Sequence, residues 1–235
     1  MRTPGFWAQS AVNQRVQMLE MTVFLSLIIP SMAVSFLPLR QAGVSFVLEA
    51  VLIIMRDLAL VSLIAFFLWR NRESMVAIGW AVRRTGKEIA LGALLFLPLL
   101  MALSTIERGL SLLGFARPSP PPSSLRPTAS LGETLVALVL VTVVAIAEEV
   151  IFRGYLLLRL HALLRKTWLA VVASTALFSL GHGYEGPAGV VMVGLLGLAF
   201  AIVVVWRGNL VAAVTMHFLQ DSAALVLLPF IGAGR

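Results

Sequence analysis

The stretch LVALVLVTVVAIAEEVIFRGYLLL, residues 135–158, decides the fold of this chain, because it is almost wholly apolar and long enough to cross a membrane. It nevertheless holds Glu148 and Glu149 side by side, and Arg153 follows four residues after Glu149. An ionisable side chain at the centre of a membrane helix costs roughly 2.5 to 3.5 kcal/mol on insertion scales. Carboxylates in such a segment therefore predict a functional site inside a transmembrane bundle.

The composition of the whole chain indicates the same environment. Of its 235 residues, 60% are hydrophobic and 12% are charged, and the mean hydropathy is +0.97. These values are typical of an integral membrane protein and not of a water-soluble domain. The net charge of +7 does not indicate a nucleic-acid partner, because Lys and Arg concentrate in short connections. The chain contains no Cys, which excludes disulfides and thiol catalysis.

Successive apolar runs predict an all-α, polytopic transmembrane bundle of about seven to eight spans, with the catalytic residues inside it. The runs cover residues 21–39, 44–69, 88–106, 131–163, 168–184, 187–206 and 208–229. A Pro-rich linker, residues 114–130, separates an N-terminal scaffold half, residues 1–113, from a motif-bearing half, residues 131–235. The intramembrane charges of the first half are expected to form structural ion pairs with one another: Glu49, Arg56 and Asp57.

The distribution of basic residues predicts the orientation of the bundle. Five of them lie between Arg70 and Lys87, and three more lie between Arg159 and Lys166. Both stretches are expected to be cytoplasmic by the positive-inside rule. The Pro-rich linker and the GYEGP turn then lie outside. We therefore expect a multi-pass protein of the cell (inner or plasma) membrane, surrounded by lipid.

Two further polar pairs lie in apolar runs downstream. Phe178 precedes His182 by four residues, and His217 precedes Asp221 by four. Side chains four residues apart share one face of a helix. Each pair is therefore expected to point into the interior of the bundle.

The depth of these residues in the membrane predicts that they meet. Glu148 and His182 lie about 27 and 24 Å from the turn near Lys166, at a rise of 1.5 Å per residue. His217 and Asp221 lie about 15 to 21 Å along the last run by the same rise. Three helices are therefore expected to bring two carboxylates, two imidazoles and a further Asp to overlapping depth.

The three motifs resemble those of the CPBP intramembrane proteases, a family that includes type II CAAX prenyl endopeptidases, bacteriocin-processing and immunity proteins, and myxosortase-like enzymes. The resemblance covers residues 131–229 and rests on three motifs in order: Glu148-Glu149-x-x-x-Arg153, Phe178-x-x-x-His182 and His217-x-x-x-Asp221. It implies an endopeptidase that hydrolyses a peptide bond near the membrane. Its substrate would be a membrane-associated protein or peptide, such as a CAAX-like tail, a leader peptide or a C-terminal sorting segment.

The resemblance also implies roles for the motif residues. Glu148 and His182 would activate a water, and His217 with Asp221 would polarise the scissile carbonyl or hold its oxyanion. Many members carry Asn where this chain has Asp221, and an ionised carboxylate cannot donate a hydrogen bond to an oxyanion. Three roles therefore stay open for Asp221: orienting His217, acting in the protonated form, or binding a metal.

The remaining motif residues are expected to support the catalytic ones. Glu149 and Arg153 have the spacing of an intrahelical ion pair, and we expect this pair to neutralise charge and to position Glu148. Phe178 is expected to pack beside the site without taking part in the chemistry.

Metal dependence stays open at this stage. Glu148, His182 and His217 form a two-His, one-carboxylate set that could bind zinc and leave a position for water, as in a metalloprotease. The chain has no H-E-x-x-H motif, however, and the three ligands would come singly from three helices. Proton transfer without a metal explains the same residues and is the preferred interpretation, so no cofactor is assigned.

Two other functional classes remain as alternatives. A proton-coupled transporter would also place Glu, His and Asp at mid-membrane depth, but it usually shows internal repeats or paired broken helices, which this sequence lacks. A non-catalytic immunity or binding protein could retain the same scaffold. The presence of Glu148, Arg153 and both motif histidines favours a working protease.

Overall fold

The computed structural model describes residues 12–37, 44–81, 84–115, 118–119, 122–128 and 130–227. Within these ranges the chain forms helices and no strands, which confirms the all-α prediction. The outer ends of the two predicted halves, residues 1–11 and 228–235, lie outside the described residues. The α-helices are α1 Gln14–Ser35, α2 Phe46–Arg70, α3 Thr85–Leu112, α4 Leu131–Glu148, α5 Leu157–Leu164, α6 Thr167–Leu180, α7 Gly186–Arg207 and α8 Val211–Asp221.

The apolar runs all form helices, and a helical membrane bundle is confirmed. Five segments are long and apolar enough to cross a membrane: Gln14–Ser35, Phe46–Arg70, Thr85–Leu112, Leu131–Leu164 and Gly183–Arg207. The other two apolar helices, Thr167–Leu180 and Val211–Leu227, are shorter. With 14 residues, α6 is about 21 Å long, less than the ~30 Å of a hydrocarbon core. The described chain therefore has five segments of full spanning length, where the sequence predicts about seven to eight spans.

The fourth run is one continuous helix with a π-helical centre. α4 passes into the π-helix Glu149–Leu156, and α5 continues from it. Every residue of the π-helix is buried, and the hydroxyl of Ser174 on α6 donates to the carbonyl oxygen of Phe152 at 2.6 Å. π-helical turns often occur at functional sites. This one carries Glu149 and Arg153 in the middle of the bundle.

One apolar core joins the two halves of the chain. It contains Phe24 from α1, Ile64 from α2, Tyr155 from the π-helix, Phe200 from α7 and Met216 from α8. α2 packs against α4, and α3 packs against α8. The first half therefore forms walls around the helices that carry the motifs.

Buried ion pairs close one end of the bundle. Glu20 of α1 accepts from Arg70 at 2.7 Å and from Arg159 at 3.3 Å, and Arg159 also donates to Glu73. The sequence places Arg159 in a cytoplasmic basic stretch, but the side chain is fully buried within α5. It belongs to the same basic end of the bundle, where it joins Glu20 of α1 to Glu73 in the connection that follows α2.

Candidate active site

A cavity of about 850 Å³ lies inside the bundle, and its wall includes all four residues predicted to be catalytic: Glu148, His182, His217 and Asp221. Most of the remaining wall is apolar and comes from α1 to α4, α6, α7 and α8. The structure therefore brings side chains of three separate motifs to one cavity. Electrostatic interactions in a largely apolar cavity are stronger than in bulk water.

His217 lies at the centre of these groups. Its Nδ1 is 3.0 Å from Glu149 Oε1, and its Nε2 is 3.7 Å from Glu148 Oε2 and 3.5 Å from Asp221 Oδ2. Because an ionised carboxylate only accepts hydrogen bonds, Nδ1 carries a proton and donates it to Glu149. Nε2 faces the other two carboxylates at distances longer than an ordinary hydrogen bond, so it stays available to a third group.

Glu149 and Arg153 form the ion pair that their spacing predicts. Arg153 Nη1 donates to Glu149 Oε1 at 2.9 Å, and both side chains are buried. The sequence predicts that this pair positions Glu148. In the structure the same Oε1 accepts from His217 Nδ1, so the carboxylate is placed to orient His217. The reason is that Glu149 is the first residue of the π-helix and turns towards α8, whereas Glu148 faces the cavity.

Phe178 fills the space between the charged groups. The guanidinium of Arg153 lies 3.9 Å from the centre of the Phe178 ring, a cation–π contact. A Cβ atom at Gly197 of α7 would lie 2.6 Å from Arg153 Nη2 and 2.7 Å from the Phe178 ring. The absence of a side chain at Gly197 therefore allows α7 to approach this pair.

His182 lies just after the end of α6, at the border of the same cavity. Its Nδ1 is 3.1 Å from the carbonyl oxygen of Phe178, which can only accept, so Nδ1 is the donor. In the neutral ring Nε2 then carries the lone pair that can accept a proton. Within the described residues no hydrogen bond links His182 to Glu148.

Glu148 lines the cavity with an uncommitted oxygen, a state that Asp57 Oδ2 and Glu149 Oε2 share. Its side chain is 14% exposed, and Oε2 is buried without a hydrogen-bond partner. Each buried polar atom left in this state costs free energy of folding. Glu148 therefore contributes little to stability by its contacts, and Oε2 can accept a hydrogen bond from a bound water or substrate.

α2 adds charged residues that sequence reasoning assigned to the scaffold. Arg56 and Asp57 form the expected ion pair at 2.8 Å, and both line the cavity. Both also interact electrostatically with Glu148. The sequence feature that could have indicated a role for Arg56 and Asp57 in the site is that both charged residues lie in the middle of an apolar run. The sequence could not show that α2 faces the motif-bearing helices.

The three candidate zinc ligands, Glu148, His182 and His217, are not gathered as a ready metal site in this structure. Among the described residues there is no group of three or more His, Asp or Glu side chains placed to hold a metal ion. Glu148 and His217 approach each other at 3.7 Å, and the bond of His182 Nδ1 to a backbone carbonyl leaves its Nε2 available.

The comparison with protein families points to the segment that carries the three motifs. Residues 130–223 match the family model described as type II CAAX prenyl endopeptidase Rce1-like. The matched segment contains all seven residues predicted for the site. No curated protein and no solved structure matches the chain.

Proposed function

We propose that the chain, whose residues 130–223 match the Rce1-like family model, is an intramembrane protease of the CPBP family. It hydrolyses a peptide bond of a membrane-associated protein or peptide inside the bundle. The observation that carries this proposal is the buried, unpartnered Oε2 of Glu148, which lies 3.7 Å from His217 in a cavity of about 850 Å³. CAAX-like tails, leader peptides and C-terminal sorting segments are all candidate substrates, because each reaches such a cavity from the membrane. The basic end of the bundle would face the cytoplasm.

Water activation is assigned to Glu148, with His182 as its partner. Peptide hydrolysis needs a base that removes a proton from water and an acid that protonates the leaving amine. Glu148 Oε2 has no protein partner and can take the proton as the water oxygen attacks the carbonyl carbon. The lone pair of His182 Nε2 can then accept this proton from Glu148 and pass it to the amine nitrogen when the C–N bond breaks, which returns both groups to their starting state.

His217 is assigned to the carbonyl oxygen of the substrate. When Nε2 carries a proton it can donate a hydrogen bond to the negative oxygen that forms during attack. The bond from Nδ1 to Glu149 holds the ring in place, and Arg153 balances the charge of Glu149. Asp221, 3.5 Å from Nε2, balances the charge of His217 in its doubly protonated form.

No step of this scheme is routed through a metal. Elemental analysis of the purified protein, together with chelator treatment, measures whether a metal takes part. Stoichiometric zinc that is lost together with activity would require a metal-dependent scheme in place of this one, because a catalytic zinc supplies both the Lewis acid and the activated water.

The proposal is tested by comparing membrane-associated proteins from cells that express the wild type and Glu148→Ala at equal levels. Protein termini are identified by mass spectrometry. We expect one or a few precursors to accumulate in the variant and the matching new termini to disappear. Identical termini in both strains, with the variant folded, would support the alternative of a non-catalytic binding or immunity protein.

A further inference from the structure

The cavity carries more negative than positive groups. Its wall includes six carboxylates against one arginine and two histidines. Glu148 and Asp221 lie near His217, which leaves four carboxylates that the proposed chemistry does not use: Glu49, Asp57, Glu107 and Glu185.

The single arginine of the wall is already neutralised. Arg56 donates from both Nε and Nη2 to Asp57 Oδ1, at 2.9 and 2.8 Å. The other oxygen of Asp57, Oδ2, has no hydrogen-bond partner, although the side chain is only 1% exposed. A buried carboxylate oxygen in the cavity wall that lacks a donor is a position at which a ligand can donate.

The other three carboxylates lie towards one end of the bundle. Glu49 is in the first turn of α2, Glu107 is in the last turns of α3, and Glu185 is in the turn before α7. This end is opposite to the basic end formed by Arg70, Arg159 and their partners. None of the three has an ion-pair partner within the part of the chain that the structure describes, although Glu185 is hydrogen-bonded to Tyr184 and interacts electrostatically with His182. We call this set, Glu49, Glu107 and Glu185, the acidic mouth.

Carboxylates that outnumber the cationic groups of a largely apolar wall favour a cationic ligand. Charges of one sign in a low-dielectric cleft focus the electric field and raise the local concentration of opposite charge. A substrate with a free carboxylate would meet repulsion from the acidic mouth, and Arg56 is already held by Asp57. A lysine or arginine side chain would find acceptors both at the mouth and at Asp57 Oδ2.

We propose that the cavity selects a substrate segment that carries a basic side chain, Lys or Arg. This side chain lies within about four residues of the scissile bond, on the side of the acidic mouth. Its position relative to the scissile bond rests on the proposed endopeptidase function. The distance follows from α2, where Glu49 lies eight residues before Asp57, or about 12 Å at 1.5 Å per residue. Asp57 interacts electrostatically with Glu148 and so marks the level of the chemistry. An extended substrate covers about 12 Å with three to four residues at ~3.3 to 3.6 Å each.

Binding is measured first, without relying on catalysis. The probes are fluorescent, apolar ten-residue peptides that differ at one position, which is Lys, Gln or Glu. They are titrated into the full-length Glu148→Gln protein in a non-ionic detergent, with empty micelles as the blank. We expect the Lys peptide to bind on the order of tenfold more tightly than the Gln peptide, and the Glu peptide to bind most weakly. Added salt should reduce the difference.

Variants of the acidic mouth identify the source of this preference. Glu49→Gln, Glu107→Gln and Glu185→Gln should each reduce the preference for Lys by roughly 1.5- to 5-fold, and the triple variant should abolish it. All three side chains are partly exposed, so these variants are expected to fold. The matched control is Glu133→Gln, which removes a carboxylate near the start of α4 that does not line the cavity.

The outcomes separate this inference from the proposed function. Equal binding of the three peptides, or an equal loss in the Glu133→Gln control, would overturn the inference. Cleavage that depends on Glu148 but is indifferent to Lys would overturn it and leave the endopeptidase intact. A clear preference for Lys in binding, without cleavage of any peptide by the wild type, would support the acidic mouth and contradict the proposed protease.

Discussion

Replacing Glu149 by Gln should destabilise the protein strongly, because one fully buried carboxylate oxygen serves two donors. Glu149 Oε1 accepts from Arg153 at 2.9 Å and from His217 at 3.0 Å, and the side chain has no exposed surface. Removing one partner of a buried pair costs about 3 to 5 kcal/mol, since the other charge stays buried without compensation. Gln keeps an acceptor oxygen, so we expect the free energy of unfolding to fall by about 3 kcal/mol. This loss is a large part of the ~5 to 15 kcal/mol by which a typical protein is stable.

A second variant distinguishes the uncompensated charge from the lost hydrogen bond. Glu149→Gln combined with Arg153→Met removes both charges, and apolar replacements of a buried pair are often close to neutral. We therefore expect the double variant to regain most of the lost stability. Its activity should stay roughly 10- to 100-fold below that of the wild type, because His217 no longer has a charged acceptor that orients its ring.

The assay is denaturant unfolding in detergent, followed by tryptophan fluorescence and analysed as a double-mutant cycle. Cleavage is measured per unit of folded protein. Glu88→Gln is the matched control, because it removes a buried carboxylate that pairs with the partly exposed Arg207, and neither residue lines the cavity. It should lower stability without changing kcat/KM. If Glu149→Gln is as stable as the wild type, or if the double variant is fully active, the assigned role of Glu149 is wrong.

Two further substitutions test the packing and the chemistry of the site. Gly197→Ala should destabilise the protein by about 1 to 3 kcal/mol in the same unfolding assay, because its Cβ would lie 2.6 Å from Arg153 Nη2. The control is Gly194→Ala on the same helix, whose Cβ would meet nothing nearer than 3.5 Å. This control variant should be neutral or slightly stabilising. Equal effects would refute the close approach of α7. Asp221→Asn should slow cleavage by roughly 10- to 100-fold, since the carboxylate faces His217 Nε2 at 3.5 Å. Full activity in a pH-rate comparison with the wild type would instead indicate that Asp221 acts in its protonated form.

The sequence is sufficient to predict the helices and the contacts within one helix, because the membrane constrains each apolar segment separately. An apolar run of spanning length must form a helix, because the lipid offers no partner for backbone polar groups. Residues 135–158 could therefore be predicted as a membrane helix, and a charged side chain there indicated a site. The spacing of four residues was sufficient to predict the pair of Glu149 and Arg153, since both residues belong to one helix.

Contacts between helices could not be predicted in the same way. The bond from His217 to Glu149 depends on how α8 is rotated against the long helix, and the π-helix changes the direction in which Glu149 points. The places of Arg56 and Asp57 in the cavity wall depend on the packing of α2 against α4. Arg159 illustrates the same limit, because a basic residue near a helix end has the sequence signature of a connection, yet partners from distant segments bury it.

The central claim, that Glu148 activates water for peptide hydrolysis, is tested most directly by a single kinetic comparison. The wild type and Glu148→Gln are reconstituted in liposomes with a precursor identified from the Glu148→Ala cells, and the cleavage rate is measured alongside the unfolding midpoint. Because Glu148 Oε2 has no hydrogen-bond partner to lose, we expect a nearly unchanged midpoint and a rate that is lower by roughly 10²- to 10⁴-fold. Cleavage at the wild-type rate by a folded Glu148→Gln protein would contradict the account.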